Sequence, residues 1–260
     1  MNTIRIGDID VRYHVEGSGP WVTLSHSLTA DLGMWDGVAA ALADRHTVLR
    51  FDTRGHGGSS APEGPYSFDQ LTADVIGLLD GLGVERTDFV GLSMGGMIGQ
   101  HLALAAPHRL GRLVIANSTS RTPPEMRGVW QQRIAQAMSS GTASLADATL
   151  ERWFTPAFRA ANPGLMARVA ATIAATPAAG YAGCAAAISQ LDLTARLVEV
   201  TAPTLVIAGA EDPSTPVATA QAIVAAIPGA RLEIIPAASH LSCLEQPQIF
   251  HRLVADFLDG

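Results

Sequence analysis

A serine set between two glycines, Gly91-Leu92-Ser93-Met94-Gly95, lies where a short apolar run gives way to an Ala/Leu-rich one. Asp88-Phe89-Val90 reads as the end of a strand, and Met94 to Ala106 as a helix stopped by Pro107. A serine on so tight a strand-to-helix turn presents its Oγ at the carboxyl edge of a sheet, beside the positive end of a helix. The chemistry this permits is nucleophilic attack on an acyl carbon. A serine hydroxyl is weak at neutral pH, so it needs a base, and the base needs an orienting acid. With this turn, acid and base follow the serine in that order, each after a strand. Strand Thr204–Ala208 runs into Gly209-Ala210-Glu211-Asp212-Pro213, which makes Asp212 the expected acid, with Glu211 competing from one position earlier. Strand Leu232–Ile235 leads to Ala237-Ala238-Ser239-His240, so His240 is the expected base. His14, His46, His108 and His251 have no route to the turn, and His101 lies within its helix, directed away from Ser93. Acyl transfer also needs donors for an oxyanion. The backbone N–H groups of Met94, after the serine, and of Leu28, in the loop His26-Ser27-Leu28, are placed to serve.

The elements that must position these groups alternate. Ile4–Ile6 and Val11–Val15 form a hairpin around Gly7-Asp8, and Trp21–Leu24 is a third strand, followed by a helix near Met34 to Ala43. Thr47–Phe51 ends in a Gly-rich turn, Asp52 to Ser59, whose expected role is structural rather than chemical. Phe68 to Leu82 is helical, with Val75, Leu78, Leu79 and Leu82 on one face, and Leu113–Ala116 is the sixth strand. Such alternation predicts an α/β fold, a mostly parallel twisted sheet covered by helices on both faces. From Thr119 to Leu193 only helical segments are legible, punctuated by prolines. Alternation then resumes through a helix from Pro216 to Ala226 and a last one from Gln248 to Leu258. The expected organisation is a core of residues 1–118 and 194–260 with a helical cap, 119–193, inserted after the sixth strand. That places the cap over the sheet edge where open α/β sheets bind ligands.

Composition bounds the function. At 260 residues the chain can build one substantial core, and 48% hydrophobic against 16% charged residues describes a globular protein. A net charge of −7 opposes general nucleic-acid binding. No apolar run approaches the ~20 residues of a membrane span, and the N-terminus lacks a signal-peptide layout, so a cytoplasmic protein without membrane partners is expected. Cys184 and Cys243 lack metal-ligand spacing and read as small core residues.

Taken together, His26-Ser27-Leu28, Asp52-Thr53-Arg54-Gly55-His56-Gly57, Gly91-Leu92-Ser93-Met94-Gly95-Gly96 and Ser239-His240-Leu241 resemble the α/β-hydrolase superfamily over nearly the whole length. The finer resemblance is to the 3-oxoadipate enol-lactonases of the β-ketoadipate pathway. It rests on Ser25 to Leu28 with Asp31 and Met34-Trp35, on Trp130 with Arg133-Ile134, on Arg152 to Pro156, on Gly180 to Gly183, and on His240 to Ser242 with Glu245. Ser27 replaces the glycine common in the wider superfamily, and Cys243 stands where the lactonases often carry Asn.

The resemblance implies the α/β-hydrolase fold and hydrolysis of a small anionic lactone through an acyl-enzyme on Ser93, with no metal or organic cofactor. Among the cap arginines Arg121, Arg127, Arg133 and Arg152, it singles out Arg133 for the substrate carboxylate, with Trp130, Trp153 and Phe154 as candidate pocket walls. The turn around Ser93 alone leaves open a carboxylesterase, a perhydrolase, a carbon–carbon bond hydrolase and a non-catalytic sensor.

Overall fold

The computed structural model describes all 260 residues. Eight strands form one sheet: β1 (Asn2–Ile6), β2 (Ile9–Gly17), β3 (Trp21–Ser25), β4 (Thr47–Phe51), β5 (Thr87–Leu92), β6 (Leu110–Ala116), β7 (Thr204–Gly209) and β8 (Arg231–Ile235). Their order is β1-β2-β4-β3-β5-β6-β7-β8. The hairpin β1/β2 and the β2/β4 pair are antiparallel, and every other pairing is parallel.

Strand residues at the centre of the sheet divide by parity between two cores. Phe89, Leu113, Ile115, Val206 and Ala208 face a cluster of 33 buried residues, while Val90, Leu92, Val114, Leu205 and Ile207 face one of 28. Near-continuous apolar strands are what a sheet buried on both faces requires. Helices α1 (Asp36–Leu42), α2 (Phe68–Gly81) and α3 (Met94–Ala105) follow successive strands. Helix α2 starts at Ser67, whose Oγ accepts from Gln70 N at 3.1 Å, and it buries Leu71, Val75, Leu78 and Leu79. The helix expected from Met34 opens instead as a 3₁₀ turn, Leu32–Trp35, because Asp31 caps Gly33 N at 2.8 Å.

Between β6 and β7 the chain is helical: α4 (Arg127–Ser140), α5 (Ala146–Trp153), α6 (Pro156–Ala161), α7 (Pro163–Ala175) and α8 (Ala178–Ser189). Pro156 and Pro163 occupy first turns, where a missing N–H costs nothing. The two ends of this insertion meet at an Arg121–Asp192 bridge, with Leu193 N donating to Ser120 O at 2.8 Å. Helices α9 (Val217–Ala226), α10 (Ser242–Glu245) and α11 (Pro247–Asp259) complete the chain. No single helix is long and apolar enough to cross a membrane. Cys184 and Cys243 are free and buried, one in each core.

Candidate active site

The chain builds outward from β3 to β4 on one side and to β5 on the other, so the loops after β3 and β5 diverge at a crevice. Ser93, after β5, has φ 56° and ψ −114°, a region non-glycine residues seldom occupy. It is held there on several sides. Ser93 N donates to Ala116 O at 2.9 Å, Ser118 Oγ donates to Ser93 O at 2.7 Å, and Gly95 N donates to His26 O at 3.1 Å. A Cβ at Gly95 would overlap the Ser25 carbonyl oxygen, so only glycine lets α3 approach β3 this closely. Met94 opens α3, and its N–H is among the four that a helix leaves without an internal acceptor. Its side chain is fully buried in the core, leaving the backbone as its only contribution. Leu28 N faces no acceptor within the protein.

Asp212 and His240 follow β7 and β8, neighbours in the sheet, and His240 Nδ1 lies 2.8 Å from Asp212 Oδ2. The same oxygen accepts from Thr215 Oγ1 at 2.6 Å and Asn117 Nδ2 at 3.1 Å. Oδ1 accepts from Ser214 N at 2.8 Å and Thr215 N at 3.1 Å. Burial works to raise the Asp212 pKa, but His240 and the hydrogen bonds from His240, Thr215 and Asn117 outweigh it, holding the carboxyl below its ordinary value. A carboxylate on Nδ1 keeps the proton there and leaves Nε2 as the acceptor. The competitor Glu211 is exposed.

Ser93, His240 and Leu28 line one cavity of about 330 Å³. Its far wall comes from the insertion. Trp130, Arg133, Arg152 and Trp153 all line it, as does Arg121 at the insertion's neck. The Trp153 ring stacks over His240 with centroids 6.2 Å apart, and the Arg133 guanidinium lies 5.1 Å from the Trp130 ring centroid. No carboxylate side chain lines the cavity. Burial, and then the nearby Arg133, lower the Arg152 pKa, so the two guanidinium groups sense each other.

Two candidates from the sequence fall away. Phe154 is 1% exposed and stacks on Phe158 within the core behind α5, because it follows Trp153 on extended backbone that turns it inward. Arg127, at the exposed start of α4, does not reach the cavity. His101 stacks on Phe68 at 4.6 Å, away from Ser93.

The Asp52–Ser59 turn is held by its own bonds. Asp52 accepts from Leu32 N and Gly58 N, each at 2.8 Å, and Arg54 pairs with Asp8 and Asp74, each at 2.8 Å. His26 hydrogen-bonds Ser27 O at 2.7 Å through Nδ1 and accepts from Thr53 N at 3.0 Å, fixing the loop that carries Leu28.

Asn117, Thr215 and Tyr181 join the site beyond the residues expected from the sequence. The first two had a readable signal. Asn117 follows a strand at the same sheet edge and tolerates its φ of 44°, and Asp-Pro-Ser-Thr is an Asx turn in which Thr215 must face Asp212. Tyr181 lies on a helix in the insertion, where nothing local reports which face meets the cavity.

A profile of the alpha/beta hydrolase fold matches residues 20–247. The chain belongs to the α/β-hydrolase family. Within that family it is similar to 3-oxoadipate enol-lactonase 2 of Acinetobacter baylyi, with 38% identity over 97% of this chain and 94% of the relative. Enol-lactonase 1 of the same organism is 34% identical over 96% and 92%. The crystal structure of the enol-lactonase from Burkholderia xenovorans LB400 superposes with a TM-score of 0.96 at 39% identity, covering all of both chains. An α/β-hydrolase with these relatives is a hydrolase.

Proposed function

We propose that this α/β-hydrolase opens 3-oxoadipate enol-lactone to 3-oxoadipate in the cytoplasm, as a step of aromatic-compound breakdown. The observation that carries the reading is the cavity itself. It joins Ser93 and His240 to three arginines and presents no carboxylate, in a protein whose net charge is −7. An acidic protein gathers cations around one pocket at an electrostatic cost unless an anion is to fill it. The chain contains no lysine, so each of these cations is a planar, permanently charged fork suited to a carboxylate.

In this reading residues 119–193 are a cap that supplies recognition, and residues 1–118 and 194–260 are a core that supplies the chemistry. Arg133, steadied by Trp130 and joined by Arg152, holds the substrate carboxylate, while Trp153 walls the ring. Ser93 Oγ attacks the lactone carbonyl as His240 Nε2 takes its proton, and Asp212 stabilises the imidazolium that forms. The N–H groups of Leu28 and Met94 receive the oxyanion. Collapse expels an enolate, whose delocalised charge makes its departure less dependent on proton donation by His240 than an alkoxide's would be. The enolate then takes the Ser93 proton from His240, giving the enol and returning the imidazole to its neutral form. Water, deprotonated by His240, then releases the acyl group, and the enol tautomerises to the ketone. Every step is carried by these side chains and water.

The test follows lactone absorbance in the ultraviolet, with p-nitrophenyl acetate for comparison. The expected outcome is a lactone kcat/KM far above that of the ester, with Ser93→Ala lowering kcat by roughly 10⁴–10⁶. Ester turnover without lactone preference would discard the substrate while keeping the serine mechanism.

A further inference from the structure

Glu245, at the end of α10, is 5% exposed, and none of the hydrogen bonds it accepts comes from a cation. Its Oε1 accepts from Thr155 N at 2.8 Å and Thr155 Oγ1 at 2.9 Å, and its Oε2 accepts from Ser239 N. Burying a carboxylate costs free energy unless its hydrogen bonds make up the loss, so a carboxylate here marks two donors that must be held together. One donor precedes His240 directly. The other belongs to the 152–155 stretch at the end of α5.

Two more bonds join the same pair of segments. Ser239 Oγ donates to Arg152 O at 3.0 Å, and Leu241 N donates to Trp153 O at 3.1 Å. His240 is thus bracketed on both sides by bonds to 152–155, whose Arg152 and Trp153 side chains line the cavity and whose Trp153 ring stacks on the imidazole. The wall that meets the substrate and the support of the imidazole are one piece of chain.

We infer that Glu245 is a positioning residue for His240, and that it ties the imidazole to the arginine-bearing wall so that catalysis responds to an anionic group on the substrate. The inference rests on the reading of His240 as the base. A substrate carboxylate that engages Arg152 steadies the segment to which Ser239 and Leu241 are bonded. A neutral ester gives Arg152 no partner, so with it the tie through Glu245 has no anion-dependent benefit to pass to the imidazole.

The experiment compares wild type, Glu245→Gln and Ser239→Ala on the enol-lactone and on p-nitrophenyl acetate, with pH profiles of kcat/KM. In Glu245→Gln the amide must turn a donor toward Thr155 N or Ser239 N, breaking the bridge on one side. Small misplacement of a reacting group is costly, so lactone kcat should fall roughly tenfold to a hundredfold with KM within about twofold. The acid limb of kcat/KM should move as well, a readout that a purely structural role would leave in place. Ser239→Ala, which removes only a hydroxyl, should shift both readouts in the same direction by a smaller amount, and it stands in if the glutamine variant does not fold. The ester kcat should fall as well, but by less. A lowered melting temperature with kcat and the acid limb unchanged would overturn the inference, leaving Glu245 a fold residue. Equal losses on both substrates would overturn the link to the anionic group. A wild type that turns over the ester but not the lactone would refute the proposed substrate. Positioning would then be read on the ester, where an unchanged kcat in both variants overturns it.

Discussion

Ser93 is held by its neighbours in a conformation that costs a non-glycine residue about 1–3 kcal/mol, and that strain is what lifts its Oγ clear of the sheet. Asp212 shows the opposite economy, with each of its oxygens satisfied several times over. Asp212→Asn would keep the shape but offer an N–H where His240 Nδ1 has its own, favouring the wrong tautomer. Steady-state kinetics should show kcat lower by roughly 10⁴ with the fold intact. At the other end of the cavity, Arg133→Ala should raise KM for the lactone about tenfold or more and leave p-nitrophenyl acetate unaffected. A parallel loss on both substrates would remove Arg133 from carboxylate binding and leave that role to Arg152, whose guanidinium also lines the cavity.

At the scale of elements, the site depends on how close α3 sits to β3. Gly95 meets the Ser25 carbonyl without a Cβ, and its N–H bonds His26 O at 3.1 Å, so helix and loop are fixed together. Gly95→Ala would push the helix off backbone, which has nowhere to yield. A loss of about 3 kcal/mol or more in urea unfolding is expected, with lactone activity lost in whatever fraction still folds. Activity within twofold of wild type would mean that α3 can slide without moving Ser93. The insertion meets the His240 loop through the bonds around residues 152–155.

For the whole molecule, acid is the natural enemy. His26 and His56 are fully buried, their rings 5.3 Å apart. Burial lowers both pKa values, that of His56 to about 3, helped by the charge of its neighbour. In the unfolded chain both return to about 6.5, so between the folded and unfolded values the unfolded state binds more protons and stability rises with pH. The stabilisation is complete above about pH 6.5 and fades as pH falls toward the folded values, at about 1.4 kcal/mol per unit for each histidine. Asp212 adds a second loss below about pH 4, where the unfolded chain's carboxyl takes up a proton that the folded one, held lower, still resists. Urea midpoints between pH 8 and 5 should trace the first loss, and His56→Asn should flatten it by about half. A slope unchanged in that variant would assign the linkage elsewhere.

Local chemistry left its mark wherever one residue type alone can do a job. Glycines around Ser93, an acid and a histidine after successive strands, and prolines opening helices are all demanded by the backbone at their own positions, so they are legible in the chain. Near-continuous apolar strands alternating with helices likewise dictated a sheet buried on both faces. What only the tertiary structure decided are relations between distant segments. Asn117 reaches Asp212 across 95 positions, Thr155 meets Glu245 across 90, and Phe154 turns from the cavity while its neighbour Trp153 faces it. Amphipathic periodicity says which face of a helix is buried but not against what, and in an insertion apolar on several faces even that is ambiguous. The carboxylate-free, three-arginine cavity arises only when α4, α5 and the insertion's neck close over the edge of the sheet.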